Sequence, residues 1–241
     1  MPHWISNIWA IARRELYAYL SSAIAYLVAA AFLFLCGIFF VGGVTQWRDA
    51  TLQPLFGSLS IVLIFVAPVL TMRLISREHD QGTMELLLTA PVRSWEVVTG
   101  KFLASFLFYL GLLLLTAPYP LILLLYGNPD MGAIGAAYLG AILLGAALLA
   151  LGVFTSSLTR NQVVAAVLGI VASVSLWLMD VFSALLDNQA REVISYLTPS
   201  GHYYNFMEGL IDTRDLVYYA SAVVVFLFLT SQVVESRRWR G

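Results

Sequence analysis

Few residues in this chain could do bond chemistry. The histidines are His3, His79 and His202, and the one cysteine is Cys36. An activated nucleophile needs a base within hydrogen-bond reach, and a zinc site needs three or four convergent ligands. None of the histidines lies in an apolar run, so no Ser–His pair or histidine metal cluster is expected inside a membrane-spanning segment. Neither H-E-x-x-H nor G-x-S-x-G occurs. Gly100-Lys101 has the ending of a phosphate-binding loop, but Trp95 stands where the first glycine belongs and Phe102 where a Ser or Thr would hold magnesium. No catalytic, cofactor-binding or metal-binding residue is therefore expected, and Cys36 has no partner for an intrachain disulfide. Asp180 differs, because an ionisable group in an apolar run is expensive and is a candidate pathway residue by default. It lies about two turns from the end of its run, so an interfacial or helix-packing role is the alternative.

The elements that would position such groups are set by composition. The chain has 241 residues, 60% hydrophobic and 11% charged, against roughly 45–50% and 25% for soluble domains. It reads as an all-α polytopic membrane protein. Six runs satisfy the need for about 20 apolar residues that close their own backbone hydrogen bonds: about 22–44, 55–72, 102–126, 132–157, 163–186 and 216–234. Pro68, Pro118 and Pro120 predict kinks, and Arg73 is placed to snorkel from the short second run. Small residues at four-residue steps in the fourth run, Gly132, Ala136 and Gly140 with Ala137, Ala141 and Gly145 beside them, allow close helix approach, read first as packing within the subunit. Tyr126, Trp177, Tyr218 and Tyr219 read as interface anchors.

Charge placement gives an orientation. The N-terminus, the 73–101 loop, Arg160 and the C-terminus carry ten cations, Arg13, Arg14, Arg73, Arg77, Arg93, Lys101, Arg160, Arg237, Arg238 and Arg240. The opposite loops carry three, Arg48, Arg191 and Arg214, among seven acids. Both termini are thus expected in the cytoplasm. A net charge of −1 argues against a nucleic-acid partner. Arg13 and Arg14 precede an uninterrupted span, so the first run is expected to remain rather than to be cleaved as a signal peptide. Before it, Trp4, Ile5, Ile8, Trp9, Ala12, Leu16, Tyr19 and Leu20 recur at three- and four-residue steps, with Asn7, Arg13 and Arg14 on the other side. That pattern predicts an interfacial elbow helix over residues 1–21.

The 73–101 loop holds eight charges and is too patterned for a tether. Gly82 interrupts it, Thr83 can cap a helix with Glu85 in its first turn, Met84, Leu87 and Leu88 make an apolar side, and Pro91 stops it. Ser94 is placed to cap a second short helix leading through Gly100 and Lys101 into the third span. A short amphipathic helix held by two spans can press into a partner's groove; the alternative is a connector lying in the interface.

Ser76-Arg77-Glu78, Gln81-Gly82-Thr83, Glu85-Leu86-Leu87, Ala90-Pro91-Val92 and Gly100-Lys101 resemble the signature loop of ABC-2 type transporter permeases. Leu197-Thr198-Pro199-Ser200, His202, Glu208 to Asp212 and Arg214-Asp215, with Arg237-Arg238-Trp239 after the last span, are similar to gliding-motility-type permeases and to the permease of the nitrous-oxide reductase maturation system. The resemblance implies a non-catalytic permease subunit paired with a second permease subunit, as homodimer or heterodimer. It further implies two copies of a separate cytoplasmic ATPase, which bind ATP and Mg, and allows a periplasmic or membrane auxiliary protein. It makes Thr83 to Ala90 the coupling helix, with Arg77, Glu78, Gly82, Thr83, Met84, Glu85, Leu87, Leu88 and Pro91 as ATPase-coupling residues. It also makes the outer 187–215 segment a site for re-entrant helices, where the residues alone permit either those or a surface-lying pair of helices. An autonomous secondary transporter is the alternative, with Asp180 the one ionised group available to it; a mechanotransmitter acting on a membrane or periplasmic partner needs the same loop as an exporter.

Overall fold

The computed structural model describes residues 3–47, 51–80, 92–183 and 196–238. Helix is the only regular element among them. In chain order the helices are α1 (His3–Leu20), α2 (Ala23–Trp47), α3 (Gln53–Thr71), α4 (Ser76–Asp80), α5 (Ser94–Leu114), α6 (Pro118–Tyr126), α7 (Met131–Leu158), α8 (Gln162–Ser183), α9 (Pro199–Met207) and α10 (Thr213–Arg238). Six stretches are long and apolar enough to cross a membrane: Ala23–Thr45, Gln53–Glu78, Ser94–Tyr126, Met131–Leu158, Gln162–Met179 and Thr213–Ser236. The chain is an all-helical, multi-pass membrane protein.

The centre of the bundle is α7, which packs on α3, α5, α8, α9 and α10. Asp130 starts it, its Oδ1 accepting from the Gly132 and Ala133 amides at 2.8 and 3.3 Å. Its glycines receive large neighbours. A Cβ at Gly140 would stand 2.5 Å from Phe206, at Gly145 2.1 Å from the Tyr109 ring, and at Gly152 2.1 Å from Thr71 Oγ1. The small residues of α7 thus seat side chains of α9, α5 and α3 of the same chain.

The kink anticipated in the third span is a break. Pro118 and Pro120 cannot donate, and a turn at residues 115–117 separates α5 from α6. The freed carbonyls are recovered locally: Leu114 O accepts from the Ala117 amide at 3.0 Å, and Thr116 O accepts from the Tyr119 amide at 3.0 Å and the Tyr138 hydroxyl at 3.1 Å. At its other end the span differs from the expected start at Phe102. The helix runs continuously from Ser94, with no separate short helix before Lys101, and the Ser94 hydroxyl donates to Glu235 of α10 instead of capping.

At the end opposite the 73–101 loop, α9 runs beside α7. Pro199 lines a crevice with Leu144 and Leu148, while a Cβ on Gly209, whose φ is +84, would stand 3.1 Å from Ala133 Cα. Only a residue free to adopt positive φ makes that turn cheaply. The segment therefore returns into the bundle within the length of α7; residues 187–195 lie outside the described residues. Tyr219 is fully buried and its hydroxyl holds Pro199 O at 2.8 Å, while the Tyr218 hydroxyl holds Leu197 O at 2.7 Å. These two tyrosines fasten α9 to α10, and the anchor reading is corrected for them. Tyr126, by contrast, is exposed. Beside them buried His202 and Asp215 meet at 2.6 Å, with Asn205 Nδ2 on the second carboxylate oxygen at 2.9 Å and Tyr218 stacked on the imidazole at 4.1 Å.

Candidate functional site at the base of the connecting loop

The 73–101 loop leaves α3 and returns through α5, and its base is where charge is gathered. Lys101 lies about two turns into α5. Just before it, Gly100 lets α1 lie against α5: a Cβ there would stand 2.9 Å from Ile11 and 3.0 Å from Ile8 O. That approach brings Glu15 to Lys101. The Lys101 Nζ donates to Glu78 Oε1 at 2.8 Å, to Glu15 Oε1 at 3.2 Å and to Leu74 O at 2.6 Å. An ammonium has three N–H groups, and all three are used. The lysine side chain is 1% exposed, Glu78 13% and Glu15 18%. Arg14, largely exposed, closes the cluster from outside at 2.9 Å to Glu15 and 3.5 Å to Glu78.

Taking a lysine out of water costs several kcal/mol unless its partners are close and complete, so this arrangement depends on the carboxylates that face the ammonium. Burial pushes the Glu15 carboxyl up, but the Lys101 charge and the hydrogen bond from Arg14 outweigh it and hold its pKa below the ordinary 4.5. A depressed folded-state value means that the contribution is complete above the unfolded value and is lost as pH falls through the folded one. The attachment of α1 is therefore expected to hold at neutral pH and to loosen only below about 4.5. Amide exchange of α1 against pH, compared with Glu15→Gln, checks this: the variant should exchange faster at pH 7 and show a flatter acid dependence.

Both arms of the loop are fixed around this cluster. On the outgoing arm, Ser156 Oγ of α7 accepts from the Ile75 and Ser76 amides, each at 3.2 Å, and donates to Met72 O at 2.9 Å. The Tyr19 hydroxyl holds Leu70 O at 2.6 Å. On the returning arm, Glu96 Oε2 accepts from Asn7 Nδ2 at 3.1 Å and the Arg93 amide at 3.3 Å, and Trp4 packs on Trp95 at 5.9 Å between ring centroids. The expected apolar stripe of α1 thus divides. Ala12 and Tyr19 are buried in the protein, whereas Trp9 and Leu20 remain exposed for lipid.

Of the residues singled out in the sequence, Arg77 and Glu78 stand on α4 beside this base; Arg77 is exposed and Glu78 turns inward to Lys101. Gly82, Thr83, Met84, Glu85, Leu87, Leu88 and Pro91 lie outside the described residues, as does the side chain of Asp180, whose backbone belongs to α8. Sequence reasoning did not single out Glu15, Glu96 or Ser156, and it placed Lys101 in the loop, outside the third span. The one local signal was Gly100-Lys101 at the edge of an apolar run, where a small residue and a cation invite a neighbouring helix.

In this arrangement a loop between two spans is clamped to an amphipathic helix. Comparison with known proteins agrees with a transport role. The sequence profile of ABC-2 family transporter proteins matches residues 20–235. The probable multidrug ABC transporter permease YbhS of Escherichia coli (strain K12), and its counterpart in Escherichia coli O157:H7, are each 22% identical over 186 residues, 76% of this chain and 49% of theirs. The chain spans about half the length of these curated relatives. With six spans and a profile match covering nearly its whole length, this chain belongs to the ABC-2 family of transporter proteins.

Proposed function

We propose that the chain is the membrane-spanning, non-catalytic subunit of an ATP-binding-cassette exporter of the bacterial inner membrane, with both termini in the cytoplasm. A separate ATPase, present in two copies, holds ATP and Mg, and a second permease subunit completes the pathway. The observation that carries this reading is the clamped loop base. Glu78 before the loop and Lys101 after it are joined to each other and to Glu15 of α1, so a push on residues 81–91 reaches both spans and the elbow together. In this reading Thr83 to Ala90 is the coupling helix, seated in the ATPase through Met84, Leu87 and Leu88, with Gly82 and Pro91 setting its ends and Arg77 and Glu85 at its rim. The resemblance to gliding-motility-type and nitrous-oxide-maturation permeases supports a place in that subgroup; the likeness to a probable multidrug ABC transporter permease supports export of drugs. Asp180 is the pathway residue such a cargo would meet.

Purification from mild detergent with partners left open tests the proposal. A P-loop ATPase should co-purify, and Leu87→Asp with Glu85→Lys should reduce its recovery at least about tenfold, the scale of losing a buried apolar anchor, while membrane insertion persists. Recovery of the permease alone, with transport driven by an ion gradient, would establish the secondary-transporter reading instead.

A further inference from the structure

A cleft of about 300 Å³ opens between the end of α1, the Ser21–Ser22 junction and the turn after α3. Its walls include Tyr19, Ser21, Ser22, Glu15, Arg73 and Arg77. The helix α2 starts at Ala23 and α3 ends at Thr71, so the cleft sits beside the start of the first span and the last residues of the second, at the end of the molecule that carries the 73–101 loop. We propose that it is a binding site for the headgroup of an anionic phospholipid, with the phosphate between Arg73 and Arg77.

The charges point to an anion. Arg73 is half-buried and directed: one guanidinium nitrogen donates to Ser22 Oγ at 2.7 Å, and the group stands 5.8 Å over the Tyr19 ring. A guanidinium carries five N–H donors in a planar fork, matched to phosphate oxygens. Among the described residues no carboxylate pairs with Arg73 or Arg77. The one acid lining the cleft, Glu15, is already held by Lys101 and Arg14. Among the described residues, two cations therefore face the cleft without a counter-ion. Ser22 Oγ, which accepts from Arg73, still has its own proton to give.

The surroundings point to a lipid as the source of the phosphate. Leu20, Ile24 and Leu27, on either side of the Ser21–Ser22 junction, are all exposed, so an apolar strip leads from the cleft along α2. A headgroup in the cleft would place its acyl chains on that strip. Basic sites between spans at the cytoplasmic interface recognise anionic headgroups in this way. A choline headgroup would bring its own cation towards two arginines, so selectivity follows from charge. The site does not depend on ATP-driven transport and would persist if that reading failed.

Native mass spectrometry of the full chain from mild detergent, with phosphatidylglycerol and phosphatidylcholine of identical acyl chains, reads the selectivity directly. Phosphatidylglycerol should be retained roughly tenfold or more over phosphatidylcholine, the effect of two basic residues at an anionic headgroup. Arg73→Gln with Arg77→Gln should abolish the preference, whereas Arg160→Gln should leave it. If the double variant does not fold, the exposed Arg77→Gln alone should lower the preference several-fold. On the unmodified protein, phosphatidylglycerol should raise the thermal midpoint and inorganic phosphate at the same concentration should not. Equal retention of the two lipids, selectivity that survives the double variant, or stabilisation by inorganic phosphate equal to that by phosphatidylglycerol would each overturn the assignment.

Discussion

Replacing Lys101 by Met should destabilise the basic face of the protein by roughly 3–5 kcal/mol, the range for stripping one partner from a buried ion cluster. Methionine fills a similar volume, so the loss is electrostatic rather than a cavity. Without the ammonium, the Glu15 and Glu78 carboxylates lose their buried cation and keep Arg14, which is 60% exposed and therefore well screened, and Leu74 O loses its donor. The expected signature is local: faster amide exchange in α1 and α4 and a lower thermal midpoint in detergent, with α7 remaining protected. Adding Glu78→Gln to Lys101→Met should recover part of the loss, because one of the two carboxylates that faced the ammonium is no longer charged, so the double variant should be less damaged than the summed single effects. A Lys101→Met protein that melts like the parent would show that the cluster is dispensable to the fold.

Gly145→Ala should cost about 1–3 kcal/mol by overpacking, although it adds only a methyl group and improves helix propensity. The new Cβ would sit 2.1 Å from Tyr109 Cε1 and 2.5 Å from Cζ, inside any tolerable contact. Tyr109 has little room to retreat, since it is buried and its hydroxyl donates to Ala141 O at 2.8 Å. Moving the ring breaks that bond and separates α5 from α7. Gly135→Ala, on the same helix, has nothing within 4 Å of the added atom and should be neutral or stabilising by up to about 1 kcal/mol. Tyr109→Leu should suppress Gly145→Ala by vacating the space. Thermal midpoints of the four proteins decide the matter, and equal behaviour of the two alanine variants would refute the packing argument.

The six spans were legible because lipid imposes a length and a composition on each, and the sequence has no other way to satisfy backbone groups there. The amphipathic α1 was legible from its periodicity. What local pattern could not report were pairings between distant positions. Nothing around Lys101 says that its ammonium will be buried against Glu15; in isolation a cation beside Gly100 reads as a loop charge. The same holds for His202, read as lying outside any span yet enclosed with Asp215 because α9 turns back along α7. Tyr218 and Tyr219 looked like interface anchors for a related reason: aromatic residues near a span end serve lipid or protein alike, and only the return of residues 196–207 decides between them.

The clamp also imposes an order of assembly. Glu15 and Lys101 are separated by 86 residues, so during synthesis at about 5–20 residues per second the elbow waits roughly 4–17 seconds for its partner to emerge. Throughout that interval the bilayer surface must hold α1, with Trp9 and Leu20 towards lipid and Glu15 in water. The elbow is thus made well before α5 and fixed only once α5 has emerged, and a nascent chain that stalls before α5 would carry it unlatched, a visible mark of unfinished insertion for a membrane protease.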